Sequence, residues 1–297
     1  MPRRTLGTLL GGAVLLLLPL ALSAQGQEKA GDTVGNETCI TCHEDVGKRF
    51  AKNPHVLTGG KKPYKQNSAE CESCHGPGAQ HAENPTKENI VSFKSLKPLE
   101  ASEKCLSCHR QDKTQIHWAG SAHAEGRAGC TSCHSMHGAA PSSKALLARP
   151  KATELCLTCH TNLARALNAR SRHPLLEGKM DCASCHNPHG SVTESLVRRN
   201  SVNELCYTCH AEKRGPHLWE HSPVKENCLN CHNPHSSNFE SLLVAQTSRL
   251  CQQCHMQGRH QTIPSKANEP WVFSRACMNC HPKIHGSNSP SGPIFQR

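Results

Sequence analysis

Cysteine and histidine set the chemistry open to this sequence, with 20 of the first and 22 of the second in 297 residues. Every cysteine falls in one of ten copies of Cys-x-x-Cys-His. The thiol pairs are Cys39 and Cys42, Cys71 and Cys74, Cys105 and Cys108, Cys130 and Cys133, and Cys156 and Cys159. They continue with Cys182 and Cys185, Cys206 and Cys209, Cys228 and Cys231, Cys251 and Cys254, and Cys277 and Cys280. Two thiols about one helical turn apart can add across the two vinyl groups of a haem, and the next histidine then sits under the iron. Disulfide or thioredoxin-like pairs have no need of that histidine. Zinc takes four ligands in looser spacings. The pattern therefore predicts ten c-type haems, with proximal ligands His43, His75, His109, His134, His160, His186, His210, His232, His255 and His281.

The other histidines are placed as regularly. Five motifs follow NETC, SEKC, TELC, NELC or SRLC, and the five that alternate with them run into a second histidine, as in CHSMHG, CHNPHG and CHPKIHG. The repeat is thus a two-haem unit reading haem, histidine, haem, histidine, present five times over about 39–104, 105–155, 156–205, 206–250 and 251–286. It supplies ten distal candidates: His55 and His81, His123 and His137, His173 and His189, His221 and His235, and His260 and His285. His117 and His217 are left over, each near a tryptophan (Trp118, Trp219), and read as haem packing, with a swap for His123 or His221 open. Met136, Met180, Met256 and Met278 lie in or beside attachment motifs and are poor rivals, so bis-histidine ligation throughout is expected. His189 lies three residues beyond His186, a reach of at most about 10 Å. That cannot go round a macrocycle pinned at Cys182 and Cys185, so His189 is expected to cap a neighbouring haem.

About 27 residues per haem cannot wrap each cofactor separately. The elements that hold the motifs are therefore expected to be short helices and loops around a quasi-linear haem stack, with little or no β-sheet: a multihaem cytochrome c fold. The best helix runs over Thr153–Ala169, with apolar residues at helical spacing and a basic end. The longer first unit carries an insertion, Glu83–Ser102, expected to run over the surface. Aromatics at 3% leave a protein-only core poorly supplied.

Residues 1–24 read as a secretory signal, from Arg3 and Arg4, the apolar run Leu9–Leu22 and small residues at a cleavage site within 23–26. No later stretch reaches the ~18 apolar residues of a spanning helix. Residues 25–297 then form one elongated exported domain with a short C-terminal tail. The formal charge of +11 does not imply nucleic acid, because haem propionates offset it. Runs such as Lys61, Lys62 and Lys65 read as a solvated face.

Six-coordinate irons offer no site to a substrate, no CxxCK replaces a CxxCH, and Tyr64 and Tyr207 sit in unremarkable contexts. Electron transfer rather than catalysis follows. Ten motifs with paired CHxxHG histidines and the ending CMNCHPKIHGSNSPSG resemble the periplasmic decahaem cytochromes of the MtrA/PioA/DmsE family, over essentially the whole mature chain. That resemblance implies a periplasmic haem wire docked in an outer-membrane β-barrel porin. It would exchange electrons with an inner-membrane or periplasmic cytochrome, and with extracellular metal oxides or Fe(II)/Fe(III), directly or through an outer-surface cytochrome. Polar backbone cannot face lipid unsatisfied, so a conduit of this composition needs such a sheath. Two other readings stay open: a soluble periplasmic carrier or store feeding a terminal reductase such as a sulfoxide reductase, and a multihaem redox enzyme.

Overall fold

The computed structural model describes residues 31–51, 53–57, 70–138, 145–256, 277–290 and 292–295. The signal-like segment and His260 lie outside the described residues. Short helices follow one another: α1 (Gly35–Cys42), α2 (Glu44–Phe50), α3 (Pro54–Leu57), α4 (Cys71–His75), α5 (Ala79–Glu83) and α6 (Pro98–His109). The chain continues through α7 (Ala122–Glu125), α8 (Cys130–Cys133), α9 (Ala152–Leu157), α10 (Thr161–Ala166), α11 (Val202–Cys206), α12 (Ser222–Glu226) and α13 (Thr247–Gln252). Two two-residue strands, β1 (Ser171–Arg172) and β2 (Ser236–Ser237), pair antiparallel. The expected short helices with almost no sheet are what the described residues adopt.

The motifs themselves make the helical turns. Each places a histidine four residues after its first cysteine, and the histidine N–H donates to that cysteine's carbonyl at 2.9–3.0 Å in eight motifs. His75 and His109 lie inside α4 and α6. This i to i−4 bond turns the Cys-x-x-Cys-His spacing into one rigid turn. Later motifs need no more than a 3-10 turn, at Cys182–Ser184, Cys228–Asn230 and Cys277–Asn279.

One expectation is corrected. The helix over Thr153–Ala169 is broken into α9 and α10, because His160 takes φ −84° and ψ 58° to leave the helical path. The motif histidine, not the apolar spacing, sets the end of α9. The Glu83–Ser102 insertion stays exposed or half-buried through residue 100, and it also touches a motif. Val91 pairs its backbone with His75 and accepts from the His75 ring at 2.7 Å, Phe93 packs edge-on against that ring at 5.4 Å, and Ala101 and Ser102 are buried.

The protein core is thin. Buried apolar side chains among the described residues are Ala101, Leu106, Trp118, Ala124, Leu167 and Leu175, and only Leu106, Trp118 and Ala124 touch as a cluster. A domain of this length normally buries a continuous apolar interior. Here the cysteines are half-buried or exposed, and no apolar interior continues beyond that cluster among the described residues.

Candidate cofactor-binding sites

Within each repeat the first thiols of the two motifs are neighbours: Cys39 with Cys71, Cys105 with Cys130, Cys156 with Cys182, Cys206 with Cys228, and Cys251 with Cys277. The hydrogen bond between Cys105 and Cys130 pulls the Cys130 thiol down to about 6 and pushes the Cys105 thiol up. Second thiols meet across the repeat boundaries. Burial raises Cys74, Cys133, Cys185 and Cys231, and the next contribution comes from Cys108, Cys159, Cys209 and Cys254 respectively. The two proximities alternate, so each motif lies near the next in sequence order.

Polar residues three positions before four of the five odd-numbered motifs build the first contact. The Asn36, Ser102 and Asn203 side-chain oxygens accept from the backbone N–H of Cys71, Cys130 and Cys228 at 2.8–3.1 Å. Thr153 bonds the Cys182 side chain. The opening letters of NETC, SEKC, TELC and NELC are therefore clasps between motifs, a purpose that the sequence pattern displayed without explaining.

Each described motif histidine but one faces a second imidazole across a gap. Ring centres lie 6.4 Å apart for His43 and His81, 5.7 Å for His75 and His137, 5.9 Å for His109 and His55, and 6.0 Å for His134 and His189. The distances are 6.2 Å for His160 and His123, 6.0 Å for His186 and His235, and 6.4 Å for His210 and His173. They are 6.2 Å for His232 and His285 and 6.1 Å for His255 and His221. The exception is His281; the distal candidate His260 is outside the described residues.

These gaps fit an iron held by both rings. Metal–nitrogen bonds of about 2 Å, plus about 1 Å from nitrogen to ring centre, require about 6 Å. Among the described residues no three His, Cys, Asp or Glu side chains gather to hold a bare ion. Two facing imidazoles beside a thiol pair suit a metal whose other ligands come from a macrocycle.

The rings are also prepared electronically. Backbone carbonyls accept from Nδ1 of His75, His81, His123, His134, His173, His186, His221 and His232 at 2.7–3.1 Å. Ile294 serves His281 in the same way. A carbonyl can only accept, so the proton sits on Nδ1 and the Nε2 lone pair is left for a metal. Burial, and next the facing imidazole, hold His55, His137, His189 and His235 below the ordinary histidine range and so favour the neutral ring.

Sequence reasoning missed the straps that supply these carbonyls. Ala145, Ser195 and Ser241 lie in KALLA, ESLVR and ESLLV, a repeat visible in the sequence but not picked out. Leu146, Ser195, Leu196, Ser241 and Leu242 take φ of 53–59°, so the strap turns through the left-handed region without glycine. The adjacent Leu147, Val197 and Leu243 bridge back to His134, His186 and His232.

Among the described residues, His117 and His217 face no second imidazole. Gly190, at φ +115°, packs so closely on His117 that a Cβ would overlap its carbonyl, and Gly286, at φ +137°, packs in the same way on the His217 ring. Both glycines directly follow a distal candidate (His189, His285), so the two spare histidines pack against the CHxxHG turns. The rings opposite His160 and His255 are His123 and His221, which disfavours the register swap.

Family models match along the chain. The doubled CXXCH motif matches residues 173–215 and 221–260, cytochrome c-type protein NrfB-like matches 71–159, and cytochrome c554 and c-prime matches 21–76. The chain is 41% identical over 278 residues to the multiheme cytochrome MtrA of Shewanella baltica (strain OS185), covering 89% of this chain and 81% of that protein. It is 28% identical over 180 residues to the C-type polyheme cytochrome OmcB of Geobacter sulfurreducens, 57% of this chain and 22% of OmcB. Among solved structures, the undecaheme cytochrome from the S-layer of Carboxydothermus ferrireducens is 20% identical over 80% of this chain and 34% of that one. Its TM-score of 0.14 bears no argument about fold.

Proposed function

The chain belongs to the MtrA family of multihaem c-type cytochromes, and from this premise we propose that it is a ten-haem, all bis-histidine electron wire working through an outer-membrane porin. It is an electron-transfer protein with covalently bound c-type haems, and each haem, when bound, supplies one reversible Fe(III)/Fe(II) couple. The observation that carries the finer reading is the set of facing imidazoles about 6 Å apart, each with one motif histidine.

On this reading the distal ligands are exchanged between two-haem units. His55, His123, His173 and His221 reach forward to the first haem of the next unit, opposite His109, His160, His210 and His255. His137, His189, His235 and His285 reach back to the second haem of the preceding unit, opposite His75, His134, His186 and His232. In the unit at about 39–104, His81 turns to His43 within its own unit. His260, outside the described residues, is the distal candidate left for the haem of His281. Each cysteine pair fixes the edge of its haem, the strap carbonyls fix the ring tautomers, and both faces of each iron are covered by histidine. No face is left for a substrate, and electrons pass along the row of motifs.

The leader at 1–24 would send the chain to the periplasm. Among the described residues no helix is long and apolar enough to cross a membrane, and irregular backbone cannot face lipid. A β-barrel porin would therefore sheathe the wire, with a periplasmic or inner-membrane cytochrome at one end and an extracellular metal oxide, Fe(II)/Fe(III) or surface cytochrome at the other. Proteoliposomes test this: with the cognate porin, an internal reductant is expected to reduce an external acceptor, and without it, not. Failure in both cases would leave a diffusing periplasmic carrier.

A further inference from the structure

The imidazole under one haem is held differently from the rest. Among the described candidate ligands, nine imidazoles donate from Nδ1 to a backbone carbonyl. His109 instead bonds the Asp112 carboxylate at 2.6 Å, with side chains only 36% and 29% exposed. Asp112 is placed by the turn that ends α6, its N–H donating to the His109 carbonyl at 3.1 Å while its own carbonyl accepts from Gln115. No other motif histidine is followed by a carboxylate three positions on: Val46, Leu163, Lys213 and Gly258 stand there in the other first-of-unit motifs. Glu212, the nearest parallel, stands 3.8 Å from His210 Nδ1, beyond hydrogen-bond reach. The facing ring, His55, is held by a side chain as well, with Nδ1 2.8 Å from Asn53 Oδ1. Buried Asn53 in turn donates to Met136 at 2.6 Å.

We propose that Asp112 is a tuning residue that makes the haem on Cys105 and Cys108 a low-potential step in the row. This rests on the axial ligation argued above. A carboxylate accepting from Nδ1 gives the ring imidazolate character and makes Nε2 a stronger donor, and its negative charge lies one ring away from the iron. Both effects favour ferric over ferrous iron. The step affected is a one-electron reduction by an adjacent haem, with no bond or proton transferred. Asp112 thus keeps this position oxidised while its neighbours on either side are reduced.

The test uses the full holoprotein in spectroelectrochemical titration, with Asp112→Asn, Asp112→Ala and Glu212→Gln. Asp112→Asn keeps an acceptor oxygen but removes the charge. It is expected to move the amplitude of one haem to higher potential, with haem content and the low-spin spectrum unchanged, and Asp112→Ala to move it at least as far. Glu212→Gln is expected to leave the titration as in the wild type. An unchanged curve in both Asp112 variants, an equal shift in Glu212→Gln, or a high-spin haem in Asp112→Asn would each overturn the tuning role. A high-spin haem in the wild type would instead refute the ligation on which it rests.

Discussion

At the scale of single residues, the facing histidines make the sharpest predictions. His189 faces His134 at 6.0 Å, while His186 faces His235 at 6.0 Å. His189→Ala is therefore expected to leave the haem on Cys182 and Cys185 low-spin and to turn the one on Cys130 and Cys133 high-spin by EPR. Adding Cys130→Ser and Cys133→Ser to that variant should abolish the high-spin signal, and its persistence would refute the assignment. Acid provides a second check. Burial depresses His137, His189 and His235 below the ordinary value of 6.5, so the folded state disfavours their protonated form. Stability from the neutral rings is complete above that ordinary value and is lost as pH falls toward the depressed one. The low-spin absorbance should hold through pH 6.5 and fail only at lower pH. The attachment motifs were legible in the sequence because covalent attachment demands a fixed local spacing. Which histidine serves which motif was not, because the partners come from roughly fifty residues away and local spacing carries no such information.

At the scale of elements, clasps and straps decide stability. Asn203 accepts from the Cys228 N–H at 2.8 Å and donates to Val224 and Lys225 at 3.0 Å. Asn203→Ala leaves a backbone donor without its partner and should cost about 1–3 kcal/mol in denaturant unfolding of the holoprotein. The strap serines predict the opposite sign. Ser195 and Ser241 take φ 54° and hold His186 and His232 only through backbone carbonyls. Replacing either with glycine keeps that carbonyl and relieves roughly 1 kcal/mol of left-handed strain, so the melting temperature should rise or stay level. The ESL repeats passed unnoticed in the sequence because nothing in Glu, Ser or Leu advertises a turn with positive φ. The single helix expected over 153–169 failed for a related reason. Apolar periodicity measures the preference for a helix, whereas His160 must leave it to meet its partner.

At the scale of the whole molecule, the thin apolar interior means that the cofactors act as the core. Leu106, Trp118 and Ala124 alone form a buried apolar cluster among the described residues. A chain exported by cells unable to attach haem is expected to show no cooperative unfolding transition by circular dichroism and to be cleaved rapidly by protease. A sharp transition in that material would show a protein core that carries the fold by itself. The sequence anticipated this at the level of composition, through its few aromatics, but composition has no access to the alternation of first-thiol and second-thiol contacts that makes the row continuous.

The direction in which distal rings are lent also has a consequence in time. A chain leaving the membrane N-terminus first presents His55 before His109, and His123 before His160, so those irons meet a waiting second ligand. His75, His134, His186 and His232 must wait for some fifty further residues to arrive before His137, His189, His235 and His285 can close over them. Maturation is therefore out of step with synthesis. On the proposed ligation, the second haems of the first four units would pass through a period with one face uncovered, open to oxygen or a stray ligand, until the next repeat has emerged.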